Sequence, residues 1–225
     1  MGSSIIECIS LEKQYKRNGK AFTALSDVSL KVSQNEALLI KGRSGAGKTT
    51  LIHLMSGLIK PTSGKVIFDS VTLNESDNSV LSGILMNKTG IIFQNFNLLP
   101  TYSVFENIEI GIIPKGGNFS DIRTTIQNYL HQFDLTGKEN MLPSELSTGQ
   151  QQKVAVIRTL IKDPSVIFAD EPTGSVDEQS ASEILDHLLK LKKEKNITLV
   201  MATHGNIPDN IADRIIELEN GRIKS

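Results

Sequence analysis

The sequence predicts an α/β protein with a mixed sheet core flanked by helices, an antiparallel β subdomain and an inserted helical subdomain. Three observations predict it. Strand-like and helix-like segments alternate along the chain. The first two strand-like segments alternate apolar and polar residues, as edge or antiparallel strands do, whereas later ones are short apolar runs. Between Asn95 and Lys162 strand periodicity gives way to helical patterns, and it returns at Ser165. The 225 residues suit one domain with a well-buried core. We expect a core of residues 1–94 and 163–225 and a helical subdomain of about 95–162.

Ile5 to Tyr15 and Ala24 to Val32 supply the alternating strands. Glu36 to Lys41 is a short buried strand that runs into a glycine-rich loop. Lys48 to Leu58 reads as a helix, with Gly57 near its end and Pro61 beyond. Lys65 to Phe68 and Val71 to Leu73 form a hairpin, and Gly90 to Phe93 is a buried strand ending at Gln94. Ser103 can cap a helix through Ile110, Lys115 to Asn118 is a loop, and Ser120 to Phe133 is amphipathic. Ser147 can cap a helix from Gly149 to Ile161. Ser165 to Ala169, Thr198 to Met201 and Arg214 to Leu218 complete the strands, and Glu178 to Lys195 is a helix between two of them.

Composition narrows the function classes. With 39% hydrophobic and 22% charged residues the chain is ordinary for a globular protein. A formal net charge of −1 gives no basic footprint, which argues against an electrostatic nucleic-acid binder. Cys8 is the only cysteine, so no internal disulfide forms, and a reducing cytosol fits. No apolar run approaches the roughly 18 residues of a membrane span. The N-terminal residues lack a secretory apolar region, and Ile6 stands where a myristoylation motif needs Ser or Thr. Membrane association is therefore expected only through a partner.

Gly42-Arg43-Ser44-Gly45-Ala46-Gly47-Lys48-Thr49 fulfils the P-loop pattern, between a strand and a helix as the pattern requires, with Thr50 next. The glycines let backbone N–H groups converge on phosphate oxygens without Cβ clashes. Lys48 is expected at the β- and γ-phosphates and Thr49 at Mg²⁺. These residues predict a P-loop NTPase. Asp170-Glu171 ends an apolar strand, and a parallel strand delivers such residues to the ligand crevice. Asp170 can then hold Mg²⁺, and Glu171 can orient or deprotonate an attacking water. Leu146-Ser147-Thr148-Gly149-Gln150 opens a helix whose N-terminus can hold a second anion.

Together these motifs resemble the ATP-binding-cassette ATPases, from about Ser10 to the C-terminus. The pentapeptide resembles the family's Leu-Ser-Gly-Gly-Gln signature, and Asp170-Glu171 resembles its Walker B motif with catalytic glutamate. The resemblance implies that Ser147, Gly149 and Gln150 bind the ATP held by a second copy of the chain. It gives Gln94 the Q-loop role, reaching Mg²⁺ or the attacking water, and His204 that of the switch histidine on the γ-phosphate. Asp177 matches the D-loop aspartate at the subunit junction, and Tyr15 matches the A-loop aromatic that stacks on adenine. His53, His131 and His187 have no such context and read as structural. Cofactors implied are ATP and Mg²⁺.

The runs Phe93 to Pro100, Pro143 to Ala155 and Glu171 to Asp177 look like the lipoprotein-release, macrolide-export and cell-division branch. That branch implies an integral membrane permease subunit as partner and a position on the cytoplasmic face of the cell membrane. The apolar stretch Phe96 to Tyr102 is where the partner is expected to dock. Three residues depart from the pattern. Thr148 replaces the first signature glycine, Lys153 stands where arginine is usual, and Gly205 follows His204 in place of an aspartate. Two other readings remain, a soluble cassette ATPase not coupled to transport and a P-loop small-molecule kinase. Neither explains the whole motif set.

Overall fold

The computed structural model describes residues 3–17, 19–113, 118–204 and 207–224. The expected loop at Lys115 to Gly117, and Gly205, lie outside them.

Two long strands, β1 (Ser4–Arg17) and β2 (Lys20–Ser33), pair antiparallel, followed by β3 (Ala37–Lys41) and helix α1 (Lys48–Met55). Next come β4 (Ser63–Phe68), β5 (Val71–Thr72), α2 (Asn78–Asn87) and β6 (Thr89–Ile92). Three helices follow, α3 (Val104–Glu109), α4 (Phe119–Gln132) and α5 (Thr148–Leu160). The chain then runs through β7 (Val166–Asp170), α6 (Glu178–Lys195), β8 (Thr198–Thr203), β9 (Arg214–Glu219) and β10 (Arg222–Ile223). One sheet has the order β2-β1-β4-β5 and is antiparallel throughout. The other has the order β10-β9-β3-β8-β7-β6 and is parallel except for β10.

Alternation along β3 explains the layering. Leu38 and Ile40 face a core shared with α1 and the antiparallel sheet, including Leu11, Leu51, Ile52 and Phe68. Ala37 and Leu39 face the opposite core, filled from α5 and α6 by Val154, Ile157, Ile184 and Leu188. The central strand is thus buried on both sides, which is why its sequence is a continuous apolar run.

Most differences from expectation fall at element ends. α1 stops at Met55 rather than Leu58, because Gly57 has φ 80° and the Ser56 N–H closes the helix on Ile52 O. The helix α2 was not expected. Its Asn, Ser and Gly residues dilute the apolar period, and Ile84 alone is buried there. Among the described residues, no helix is long and apolar enough to cross a membrane.

Candidate active site

The glycine-rich loop is held by close backbone approach. A Cβ on Gly42 would lie 2.3 Å from Leu218 O, and one on Gly47 would lie 2.6 Å from Ala24 O. Gly47 also has φ 103°, so both positions require glycine. No side chain caps the start of α1, so its first N–H groups face the loop without a side-chain partner. Lys48, only 5% exposed, turns inward and donates from Nζ to Gly42 O at 2.8 Å and Arg43 O at 3.2 Å.

Strands β3, β8, β7 and β6 run parallel, so their carboxyl ends meet at one edge. Asp170 is buried there and accepts a hydrogen bond from the Thr49 hydroxyl. Its Oδ1 has no protein partner. Burial pushes the Asp170 carboxyl up, opposed first by the Thr49 hydrogen bond and then by nearby His53. A buried carboxylate oxygen without a partner, beside a hydroxyl, is a donor set that suits a hard divalent cation such as Mg²⁺.

Glu171 has φ 51°, a left-handed conformation costing about 1–3 kcal/mol for a non-glycine residue. Its backbone N–H extends the β7–β8 pairing by donating to Ala202 O at 2.9 Å. The carboxylate lies between the side chains of Lys48 and His204. Lys48 Nζ is 3.7 Å from Oε1, and His204 Nδ1 is 2.5 Å from Oε2. His204 thus lies beside Glu171 in this structure.

A cleft of about 320 Å³ collects most of the expected nucleotide residues: Tyr15, Ser44, Gly45, Gly47, Lys48, Thr49, Thr50, Gln94 and Glu171. Phe22 also lines it, and sequence reasoning missed that residue. It stacks on Tyr15 with ring centroids 5.5 Å apart and 24° between planes, opposite it in the β1–β2 register. The signal was available in principle, since pairing Arg17 with Lys20 across the turn places Tyr15 opposite Phe22.

Ser147, Gly149, Gln150 and Asp177 do not line that cleft. Ser147 caps α5 in a reciprocal box. Its Oγ accepts from the Gln150 N–H at 3.3 Å, while Gln150 Oε1 accepts from the Ser147 N–H at 3.1 Å. Asp177 caps α6 likewise, accepting from the N–H and hydroxyl of Ser180 at 2.9 and 2.7 Å, and these bonds hold its carboxyl below the ordinary range. The two helix starts touch: a Cβ on Gly149 would sit 2.3 Å from Ser180 Oγ.

The departures fit locally. Thr148 is exposed and is not among the positive-φ residues, so its Cβ needs no special backbone. Lys153 is buried and pairs with Glu183 of α6 at 2.6 Å, so the charge is used without a bidentate fork.

Beyond Gln94, Phe96 and Asn97 have φ 42° and 50°. Arg158 of α5 donates to both carbonyls, at 2.7 Å each. Buried Asn107 of α3 holds the rest of the loop, accepting from Leu99 N–H and donating to Leu99, Tyr102 and Ser103 carbonyls. Leu98 packs on the core, which leaves Leu99 and Tyr102 as exposed apolar side chains of the stretch. An apolar cleft of about 420 Å³ opens beside it, lined by Leu58, Leu85, Phe93 and Ile110.

The family model described as ABC transporter matches residues 25–174. The lipoprotein-releasing system ATP-binding protein LolD of Buchnera aphidicola is 35% identical over 219 residues, covering 97% of this chain and 96% of that one. The methionine import ATP-binding protein MetN 1 of Listeria monocytogenes is 36% identical over 220 residues, covering 97% of this chain and 65% of its own length. In structure, the chain is similar to the dimeric cassette MJ0796 in a post-hydrolysis state bound to ADP and Pi. The match has a TM-score of 0.92 and 33% identity, covering 98% of this chain and 97% of that one. MJ0796 is from Methanocaldococcus jannaschii.

Proposed function

The chain belongs to the ABC transporter family, and from that premise we propose that it is the ATPase subunit of an export or mechanotransmission complex in a membrane. It is an ATPase that uses ATP with Mg²⁺. Two copies pair head to tail, each ATP lying between the P-loop of one copy and Ser147 and Gly149 of the other. One observation carries this reading: the Ser147 end of α5 is built as a helix N-terminus yet does not line the P-loop cleft of its own chain.

In this reading Tyr15 and Phe22 hold the base by stacking, and Lys48 leaves the Gly42 and Arg43 carbonyls for the β- and γ-phosphates. Thr49, Asp170 and Gln94 would hold Mg²⁺, which when bound supplies positive charge beside the phosphate oxygens. Glu171 accepts the proton of the attacking water, with His204 fixing its carboxylate. The γ-phosphate joins the two copies, so its hydrolysis lets them part, a ligand-biased shift between open and closed populations. Residues 95–162 act as the helical subdomain, which presents Leu99, Tyr102 and the cleft beside them to a membrane permease. The resemblance to the lipoprotein-release branch supports export, and the complex would sit on the cytoplasmic face of the membrane.

Glu171→Gln tests the chemistry. Phosphate release to water is expected to fall about 10²–10⁴-fold while ATP still binds and dimers accumulate. Phosphorylation of a small molecule without free phosphate would mean a kinase instead. The membrane protein that co-purifies with the chain tests the export assignment, and an import permease among the captured partners would overturn it.

A further inference from the structure

The loop from Gln94 to α3 makes no backbone hydrogen bond to the sheet among the described residues. Its polar partners lie instead on α3 and α5, through Asn107 and Arg158. Arg158 reaches across more than sixty residues of sequence to two successive carbonyls, those of Phe96 and Asn97. The planar fork meets the two acceptors from two separate nitrogens, Nη1 and Nη2, whereas lysine would have to meet both from one nitrogen on a shorter side chain. The loop so held includes the two left-handed residues, so its shape depends on a tie from outside its own sequence.

The same helix carries Ser147 at its other end. Between the two ends, Gln152 donates from Nε2 to Pro172 O at 2.6 Å, one residue beyond Glu171, and Thr159 donates to Ile91 O at 3.0 Å. α5 is therefore a strut bonded to the Gln94 loop, to the strand that precedes it and to the segment that follows Glu171.

We propose that Arg158 is a positioning residue: it fastens the Gln94 loop to α5, so that Gln94 at one ATP and Ser147 at the other move as one piece. This rests on the two-copy site proposed above. Arg158 touches neither nucleotide. It links the two sites of the dimer mechanically, so that closing one re-aims Gln94 in the other.

Arg158→Lys keeps charge and most of the stem but loses the fork. We expect its ATP affinity to stay within about twofold, kcat to fall about tenfold, and the Hill coefficient for hydrolysis to drop from near two toward one. Adding Asn97→Gly makes the left-handed backbone easy without restoring the tie, so cooperativity should remain lost. An unchanged Hill coefficient in Arg158→Lys, or its recovery on adding Asn97→Gly, overturns the proposal, because Arg158 would then only shape the loop.

A second measurement needs no Arg158 variant. In the Glu171→Gln chain, hydrogen exchange across residues 96–103 should slow when ATP drives dimerisation. It should not slow when ATP binds at concentrations too low for dimers, and equal protection in both states also overturns the tie. If the unaltered chain neither dimerises nor shows cooperativity, the two-copy site fails and takes this proposal with it. A failure confined to the Arg158 arms leaves that site standing.

Discussion

Two helices of this molecule begin at glycine-containing turns that the proposed function assigns to phosphate, and they begin differently. α1 starts after Gly47 with no side-chain cap, and its lysine folds onto the loop's own carbonyls. α5 starts at Ser147 with a complete capping box, so the N–H groups of Ser147 and Gln150 already have side-chain partners from the same helix start. The first start is incomplete by itself and waits for an anion. The second is partly satisfied by itself, and an anion must compete with the Gln150 and Ser147 side chains for two of its groups. A permanent site and a conditional one can thus be made from one physical device. The α1 terminus should bind nucleotide in a lone chain, and the α5 terminus only when a second chain presents a nucleotide already held.

The strongest way to break that contrast is Lys48→Ala. It should weaken ATP binding by about 3 kcal/mol, or roughly two orders of magnitude in Kd, measured with a fluorescent nucleotide. Binding that survives would remove α1 from the site. Gly149→Ala should be next. The added methyl meets Ser180 Oγ, and overpacking of this kind costs about 1–3 kcal/mol of stability. Ser180→Gly should recover part of the lost Tm, and a double variant no better than the single would show that the clash is not the cause.

Ser147→Ala sharpens the contrast most directly. Hydrolysis should fall about tenfold, α5 should lose about 1 kcal/mol, and ATP affinity of the lone chain should hold within about twofold. Cooperative hydrolysis at full rate would refute the two-copy site. Gln150→Ala gives the smallest effect, a few tenths of a kcal/mol to about 1 kcal/mol in unfolding, because it removes half of a capping box. Dimerisation should weaken little, since the same change frees a donor for the incoming phosphate. A loss of dimers as large as that of Ser147→Ala would mean that Gln150 itself contacts the nucleotide.

The parts of this molecule that were legible in sequence are those whose chemistry lies in one short stretch. The loop from Gly42 to Thr49, the strand end at Asp170 and the cap at Ser147 each carry their own geometry, so residue type and spacing suffice. Phe22 was half legible, because the turn before Lys20 fixes its register to Tyr15 once the hairpin is accepted. The helix α2 was obscured because it buries little and is written in poor helix formers. The clamp of Arg158 on Phe96 and Asn97 was out of reach, since nothing local in either segment announces the other. Leu98 and Leu99 teach the same point at close range. Adjacent leucines differ in that one packs on the core and the other faces out, and an aperiodic loop has no rule to choose between them.

The stacked pair at the mouth of the cleft also has a spectroscopic consequence. The chain has no tryptophan and three tyrosines, so its ultraviolet emission comes from Tyr15, Tyr102 and Tyr129 alone. Tyr15 lines the nucleotide cleft, Tyr102 is exposed in the stretch proposed to meet the permease, and Tyr129 of α4 is buried in the core. Three native reporters therefore watch three different events. Quenching by ATP that disappears in Tyr15→Phe would register nucleotide arrival without any label, and a further change through Tyr102 would register the permease.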